Sequence, residues 1–261
     1  MGTIGKALTL LDILSGMDRE AGLTEIAQAC GYDKATARRF LLELEKHGFV
    51  EQQVESRKYR LGATLLRLAR IREERYPFLR TSTQFVRELA ELTGETVHLS
   101  EFSNGRLSTI HVEESSKANR VFVRIGTILP FHATASGLAY LAACPVEMIE
   151  AELAKPLAVY TDYTPLDPSE LRERVKETQA RGYSVNRQGM EAGVISASAA
   201  IFPAGGRPVG SITVAAPLVR TDDDRIREHG MAARAAATRI SEAFFGADPK
   251  VRPLLQSRRI G

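Results

Sequence analysis

Residues 22–41 read GLTEIAQACGYDKATARRFL, and the fold turns on how that stretch divides. Thr24 is placed to cap a short helix through Ala29, because a threonine hydroxyl accepts a free amide of the first turn. Gly31 follows as the turn, where a positive φ costs glycine nothing. Asp33 is placed to cap a longer helix running to His47, in which Ala37, Phe40, Leu41 and Leu44 form one apolar stripe. Lys34, Thr36, Arg38 and Arg39 fall off that stripe, near the N-terminal end. A helix, a tight turn and a second helix with a cationic free face is the arrangement that enters a DNA major groove. Threonine there can meet a phosphate or a thymine methyl, and arginine can hold guanine through two hydrogen bonds.

Working outward, Ile4, Ala7, Leu8, Leu11 and Leu14 recur at helical spacing and predict a first helix over residues 5–15. After Gly48, two short β-like runs at 49–53 and 58–61 flank a polar turn at 55–57. That is a wing, with Arg57, Lys58 and Arg60 placed for phosphate contacts. The alternative is a winged helix that binds protein. Charge leans toward DNA: residues 1–80 hold 14 Lys/Arg against 11 Asp/Glu, and residues 81–261 hold 21 of each, so the whole net charge of +3 lies in the first third.

Leu61, Leu65, Leu68, Ala69 and Ile71 continue helically into a charge-dense stretch that ends at Pro77, which predicts a linker helix. A further helix is expected over 79–92, stopped by Gly94. The period then changes to that of strands. Runs at 96–102 and 106–113 flank Asn104-Gly105, a strong hairpin signal, and 120–125 reads as a third strand. A loop at 126–134 leads into helices at 135–144, 147–155 and 169–181, the last capped by Asp167 with Pro168 in its first turn. Strands at 194–202 and 209–215 flank a turn at 204–207, and Asp222 opens a long helix to about Phe245. The expected fold class is α/β of the α+β kind, with an antiparallel sheet in the second domain. The domain reading is a winged helix-turn-helix over 1–62, a linker helix over 63–77, an effector domain over 78–250 and a tail over 251–261.

Catalytic signals are missing. The five histidines show no metal-ligand spacing, and neither a nucleophile elbow nor a phosphate-binding loop is present. Asp222-Asp223-Asp224 suits a helix N-terminus better than a metal. Cys30 and Cys144 read as buried free thiols, and no apolar run reaches membrane-spanning length. No catalytic residue, metal or cofactor is expected, and the expected location is the cytoplasm.

These residues resemble the IclR-type bacterial transcription regulators over nearly the whole chain. Gly22-Leu23-Thr24-Glu25-Ile26-Ala27, the helix Ala35-Thr36-Ala37-Arg38-Arg39-Phe40-Leu41 and Tyr59-Arg60-Leu61-Gly62 are similar to the family's DNA-binding part. Gly94-Glu95-Thr96-Val97-His98-Leu99 and residues 129–137 (LPFHATASG) are similar to its effector part. The resemblance implies a GAF-like effector domain, a homodimer or dimer-of-dimers tetramer, and a pseudo-palindromic DNA operator controlling catabolic genes, usually by repression. With the resemblance, Thr24, Lys34, Ala35, Thr36, Arg38, Arg39, Arg57, Lys58 and Arg60 form the candidate DNA-binding set.

The resemblance also implies a small-molecule effector between the sheet and residues 129–137, its carboxylate on the amides of Ala135 and Ser136 where they open a helix. The candidate effector set is Phe122, Leu129, Ala135, Ser136, Gly137, Asn186, Ser196, Thr213 and Ala215. Family side chains that are acidic, thiol or hydroxyl fall here at Asn186, Gly189, Ser196, Thr213 and Ala215, which carry no formal charge. Volume freed at Gly189 and Ala215, with Leu129, Phe122 and Phe131 as apolar lining, favours an aromatic acid or aromatic amide-type derivative over glyoxylate or pyruvate. Two other readings stand beside this one. One is an enzyme whose helix-turn-helix-like segment serves only dimerisation; the other is a DNA-binding protein whose effector domain serves only assembly.

Overall fold

A computed structural model describes residues 2–203 and 205–246. The chain divides into two compact units, Met1–Pro77 and Phe78–Gly261. The expected effector-domain end at residue 250, the tail at 251–261 and Ala204 of the expected turn lie outside the described residues.

The first unit packs helices α1 (Thr3–Ser15), α2 (Leu23–Cys30) and α3 (Lys34–Lys46) around Leu10, Leu14, Ile26, Phe40 and Leu41. A hairpin follows, β1 (Val50–Gln52) against β2 (Tyr59–Leu61), in the register Val50↔Leu61. Tyr59 is buried in the same core, and its backbone exchanges two hydrogen bonds with Ala21, at 2.8 and 3.1 Å. That short bridge ties the hairpin to the segment between α1 and α2. Gly31 has φ 66° and ends α2 as expected, and Asp33 caps α3. The cap on α2 is different. Gly22, in an extended conformation, takes the N-cap position without a side-chain bond, and Thr24 sits one residue inside the helix. Its hydroxyl is therefore no cap. Helix α4 (Ala63–Arg75) closes the unit and buries none of its own side chains.

The second unit opens with α5 (Phe78–Thr93) and the hairpin β3 (Thr96–Ser103) and β4 (Arg106–Glu113). Asn104 and Gly105 both have positive φ, 50° and 78°, the backbone a two-residue hairpin turn needs. Helices α6 (Ala135–Ala142), α7 (Val146–Leu153) and α8 (Pro168–Arg181) precede β5 (Ser184–Arg187), β6 (Val194–Ile201) and β7 (Gly210–Pro217). Asp222 then caps α9 (Asp223–Phe245). The sheet is antiparallel throughout, in the order β4-β3-β7-β6-β5.

Two expectations about strands change. Residues 120–125 form no strand: Val121 is buried through a hydrogen bond from Thr96 Oγ1 to its carbonyl at 2.8 Å, a side-chain tether and no ladder. The edge is instead β5, for which the sequence pattern predicts no strand. Alternation then divides the sheet. Ile195, Ala197 and Ala216 pack with Ile226 of α9. The intervening positions, Thr96, His98, Ser184, Asn186, Ser196, Ser198, Thr213 and Ala215, share the opposite face, because directly paired residues point the same way.

Candidate functional site

The first unit presents a cationic surface on α3 and the wing. Lys34, Ala35, Arg38 and Arg39 are exposed, opposite the buried Ala37, Phe40 and Leu41. Lys34, Arg38, Arg57 and Lys58 have no carboxylate within 4 Å among the described residues. The same holds for Arg39, whose guanidinium lies 5.2 Å from the centre of the Phe40 ring. Charges without internal partners are the ones that can be given to phosphate.

Three members of the expected set differ. The Thr36 hydroxyl donates to Asp33 Oδ2 at 2.7 Å while its amide donates to Oδ1 at 2.8 Å, so Thr36 supports the start of its own helix. Those two bonds, the backbone one first, hold the Asp33 carboxyl below its ordinary pKa. Arg60 is engaged within the unit, donating twice to Glu51 Oε2 at 3.1 and 3.0 Å with Glu20 at 3.6 Å. Glu51 also accepts the amide of Ala63, so the Arg60 pair anchors the start of α4. Thr24 is exposed on α2, one helix away from the main cationic face.

In the second unit the polar face of the sheet meets the first turn of α6. Thr134 caps that helix, accepting from the Gly137 amide at 2.9 Å and donating to the Pro130 carbonyl at 2.8 Å. Gly137 is there because of close approach: a Cβ would fall 2.3 Å from the Pro130 oxygen. Ser136 lies beneath, buried, in a chain of hydrogen bonds whose direction can be derived. Ser198 donates to the Ile212 carbonyl at 3.0 Å, so Thr213 donates to Ser198 at 2.8 Å. Ser136 must then donate to Thr213 at 2.7 Å, and His98 must donate its Nε2 proton to Ser136 at 3.0 Å. That leaves His98 Nδ1 as a bare acceptor, buried and without a partner. Burial pushes the imidazole pKa down to about 4, so the ring is neutral at pH 7.

This direction matters chemically. A histidine that activates a serine accepts the serine proton, and His98 gives one instead. The pair is a structural relay, not a nucleophile and base. Burial likewise raises the Cys144 thiol to about 11 and keeps it protonated. Among the described residues no group of three or more His, Cys, Asp or Glu is placed to hold a metal. No described helix is long and apolar enough to cross a membrane.

Asn186 stands on the same face, on β5. Its Oδ1 accepts from the Gly189 amide at 2.9 Å, while its Nδ2 is buried without a partner. A Cβ at Gly189 would meet Asn186 Nδ2 at 2.7 Å and the Ala133 oxygen at 2.8 Å. The space at Gly189 is thus filled by Asn186, which corrects the expectation of freed volume. Phe122 is corrected too: it is 58% exposed, because Val121 takes the inward position. Leu129 is buried, but within an apolar cluster with Leu107, Leu138 and Leu141. Ala135, Ser136, Gly137, Asn186, Thr213 and Ala215 are all buried on one side of the sheet, with Ser196 half-buried between Asn186 and Ala215. His98 and Ser198 join the site without having been expected there. Ser198 is signalled in the sequence only by polarity at alternate positions of an otherwise apolar strand, and His98 by the same pattern within the family-like block 94–99.

Comparison with known proteins accounts for both units. The family model for the IclR helix-turn-helix domain matches residues 3–54, and that for the bacterial transcriptional regulator IclR C-terminal domain matches residues 74–242. The chain is 29% identical to the transcriptional repressor IclR of Escherichia coli over 247 residues, 94% of this chain and 90% of that one. A solved structure of an IclR transcriptional regulator from Silicibacter sp. TM1040 superposes with a TM-score of 0.81 at 40% identity, covering 95% of this chain and 98% of the other. An IclR homologue from Microbacterium hydrocarbonoxydans, solved in complex with 4-hydroxybenzoate, shares the fold with a TM-score of 0.80 at 22% identity, covering 93% and 99%.

Proposed function

The chain belongs to the IclR family of bacterial transcriptional regulators, and we propose that it is a cytoplasmic repressor released from its operator by an aromatic acid or aromatic amide-type derivative. Its DNA contacts are carried by Lys34, Ala35, Arg38 and Arg39 on α3 and by Arg57 and Lys58 on the wing, with Thr24 and Thr36 at the margin and Arg60 as an internal brace. The operator is a pseudo-palindrome read by a homodimer or a dimer of dimers. In support, α4 leaves Leu66 and Leu68 exposed on a helix without a buried face. Light scattering at micromolar concentration checks this, and a strict monomer contradicts it.

The observation that carries the effector reading is the pair of unpartnered buried atoms. The hydroxyls of Ser136, Thr213 and Ser198 satisfy one another, which leaves Asn186 Nδ2 as a donor and His98 Nδ1 as an acceptor on the same face. The first-turn amides of Ala135 and Ser136 add donors, since a helix start leaves its amides without intrahelical partners. A carboxylate on the amides and Asn186 satisfies the donors, and a hydroxyl or amide N–H satisfies His98. Asn186 and His98 sit on β5 and β3, separated by β6 and β7. Three strand spacings are roughly 14 Å, so a two-carbon acid cannot reach both, whereas a flat ring with a polar group at each end reaches further across that width. The small Ala215 stands on β7, between those two strands. The Microbacterium homologue was crystallised with such a molecule.

A thermal-shift panel tests this. A benzoate-type ligand at ~100 times its dissociation constant adds about 2.7 kcal/mol of stability, which raises the melting temperature by several degrees. Stabilisation by glyoxylate or pyruvate, with none by any substituted benzoate or benzamide, contradicts the proposal.

A further inference from the structure

A cavity of about 390 Å³ opens at the opposite end of α6 from the effector site, between α6, α8 and α9. Its floor is alanine: Ala139 and Ala142 of α6 and Ala199 and Ala200 of β6. Pairing between β5 and β6 stops at Ser184↔Ser198, so β6 has no neighbouring strand on that side at Ala199 and Ala200, which line the cavity.

Two charged side chains of α9 line the trough, Arg234 and Glu242. Arg234 packs on Gly182, where a Cβ would lie 2.9 Å from its Nε, and donates once to the Arg181 carbonyl at 3.2 Å. No carboxylate lies within 4 Å of it among the described residues. Its neighbours on the helix differ, since Arg227 pairs with Asp224 at 3.2 Å and Arg239 with Glu88 at 2.6 Å. Glu242 likewise has no cation within 4 Å among the described residues. Eight residues along a helix are ~12 Å, so an unpaired guanidinium and an unpaired carboxylate line one largely apolar trough at that spacing along α9.

We propose that this trough is a second ligand site, separate from the effector site, that takes a linear ω-amino carboxylate. The carboxylate sits on the Arg234 guanidinium, a fork suited to two parallel hydrogen bonds. The ammonium sits on Glu242, and the methylene spine lies along the alanine floor. The volume is within the range of small-molecule sites, roughly 300–1,000 Å³. Opposite charges held apart select for a ligand carrying both, because either charge left alone faces a like or empty partner.

Calorimetric titration of the full chain with 8-aminooctanoate, octanoate and octylamine tests it. The amino acid should bind best, and roughly tenfold weaker binding is expected for each ligand lacking one charge. R234Q should weaken 8-aminooctanoate and octanoate together, whereas E242Q should erase only the preference for the amino acid over octanoate. Both positions are on the open face of α9, and unchanged melting temperatures confirm that the variants fold. Benzoate should not compete, which separates this site from the effector site whatever that site binds. The proposal is overturned if 8-aminooctanoate does not bind, if the three ligands bind alike, or if neither variant changes their order. It is also overturned if R234Q or E242Q changes the oligomeric state in light scattering, since the trough then seats a second copy of the chain.

Discussion

His98 donates its Nε2 proton to the Ser136 hydroxyl at 3.0 Å, joining β3 to the first turn of α6. Because burial holds the folded imidazole pKa at about 4, against about 6.5 when exposed, protonation favours the unfolded chain. Stability is complete above the unfolded value and is lost as pH falls from about 6.5 toward about 4. Urea unfolding across that interval should show a falling midpoint. H98Q keeps an N–H donor for Ser136 and removes the titration, so its midpoint should fall less. Equal slopes for the two proteins count against a buried neutral histidine.

Asn186 offers the second prediction. N186D places a carboxylate where a donor to the effector is expected, so it should abolish ligand-dependent stabilisation while leaving operator affinity intact. N186L removes the unpartnered Nδ2 and also the cap on the Gly189 amide. Leaving that amide unpaired costs about 1–3 kcal/mol. Full ligand response in N186D contradicts the role given to this side chain.

Glu95 is buried with both carboxylate oxygens engaged, accepting from Lys117 at 2.8 Å and from Arg220 at 3.0 and 2.6 Å. Burial alone raises its pKa, but the Arg220 and Lys117 bonds outweigh it and the net shift is downward. Its contribution is present above the unfolded pKa and lost as pH falls through the lower folded value. E95Q removes the charge that the partly exposed Lys117 and Arg220 share, and should cost on the order of 1–2 kcal/mol. A loss under about 0.5 kcal/mol, the size typical of surface changes, contradicts the pairing.

The wing separates two kinds of arginine. R57A and K58A should weaken binding to all DNA sequences alike and flatten the dependence of log affinity on log salt by about 0.9 for each phosphate that is no longer neutralised. R60A should leave that slope unchanged and lower thermal stability, because Arg60 is bonded to Glu51. A reduced slope in R60A with no change in melting temperature reverses the assignment.

Features set by neighbouring residues were legible in the sequence. Asp33 and Asp222 cap helices because the amide they accept is three residues away. Asn104-Gly105 makes its turn from its own backbone. Features set by distant partners were not. The alternating run at 120–125 looks like a strand, yet Thr96, 25 residues away, captures the Val121 carbonyl. That capture also turns Phe122 outward. Residues Ser184–Arg187 carry only one apolar side chain, so β5 shows itself only against β6. In the candidate effector site the helix start at Ala135 could be read from its residues, and the amide cradle only from the family resemblance. The orientation of the hydroxyl relay could not, because it follows from which carbonyl ends the chain of donors. The same holds for Gly189: its missing side chain suggests space, and the Asn186 amide occupies it.

DNA reading by α3 is tested by fluorescence anisotropy with duplexes selected from a random pool by the wild-type chain. Arg38 and Arg39 are exposed and without carboxylate partners among the described residues. R38A and R39A should each lose roughly 1–3 kcal/mol on the selected duplex and relax sequence preference at the contacted positions. Undiminished affinity for the selected duplex in both variants, with the fold intact by circular dichroism, would mean that α3 does not read the operator.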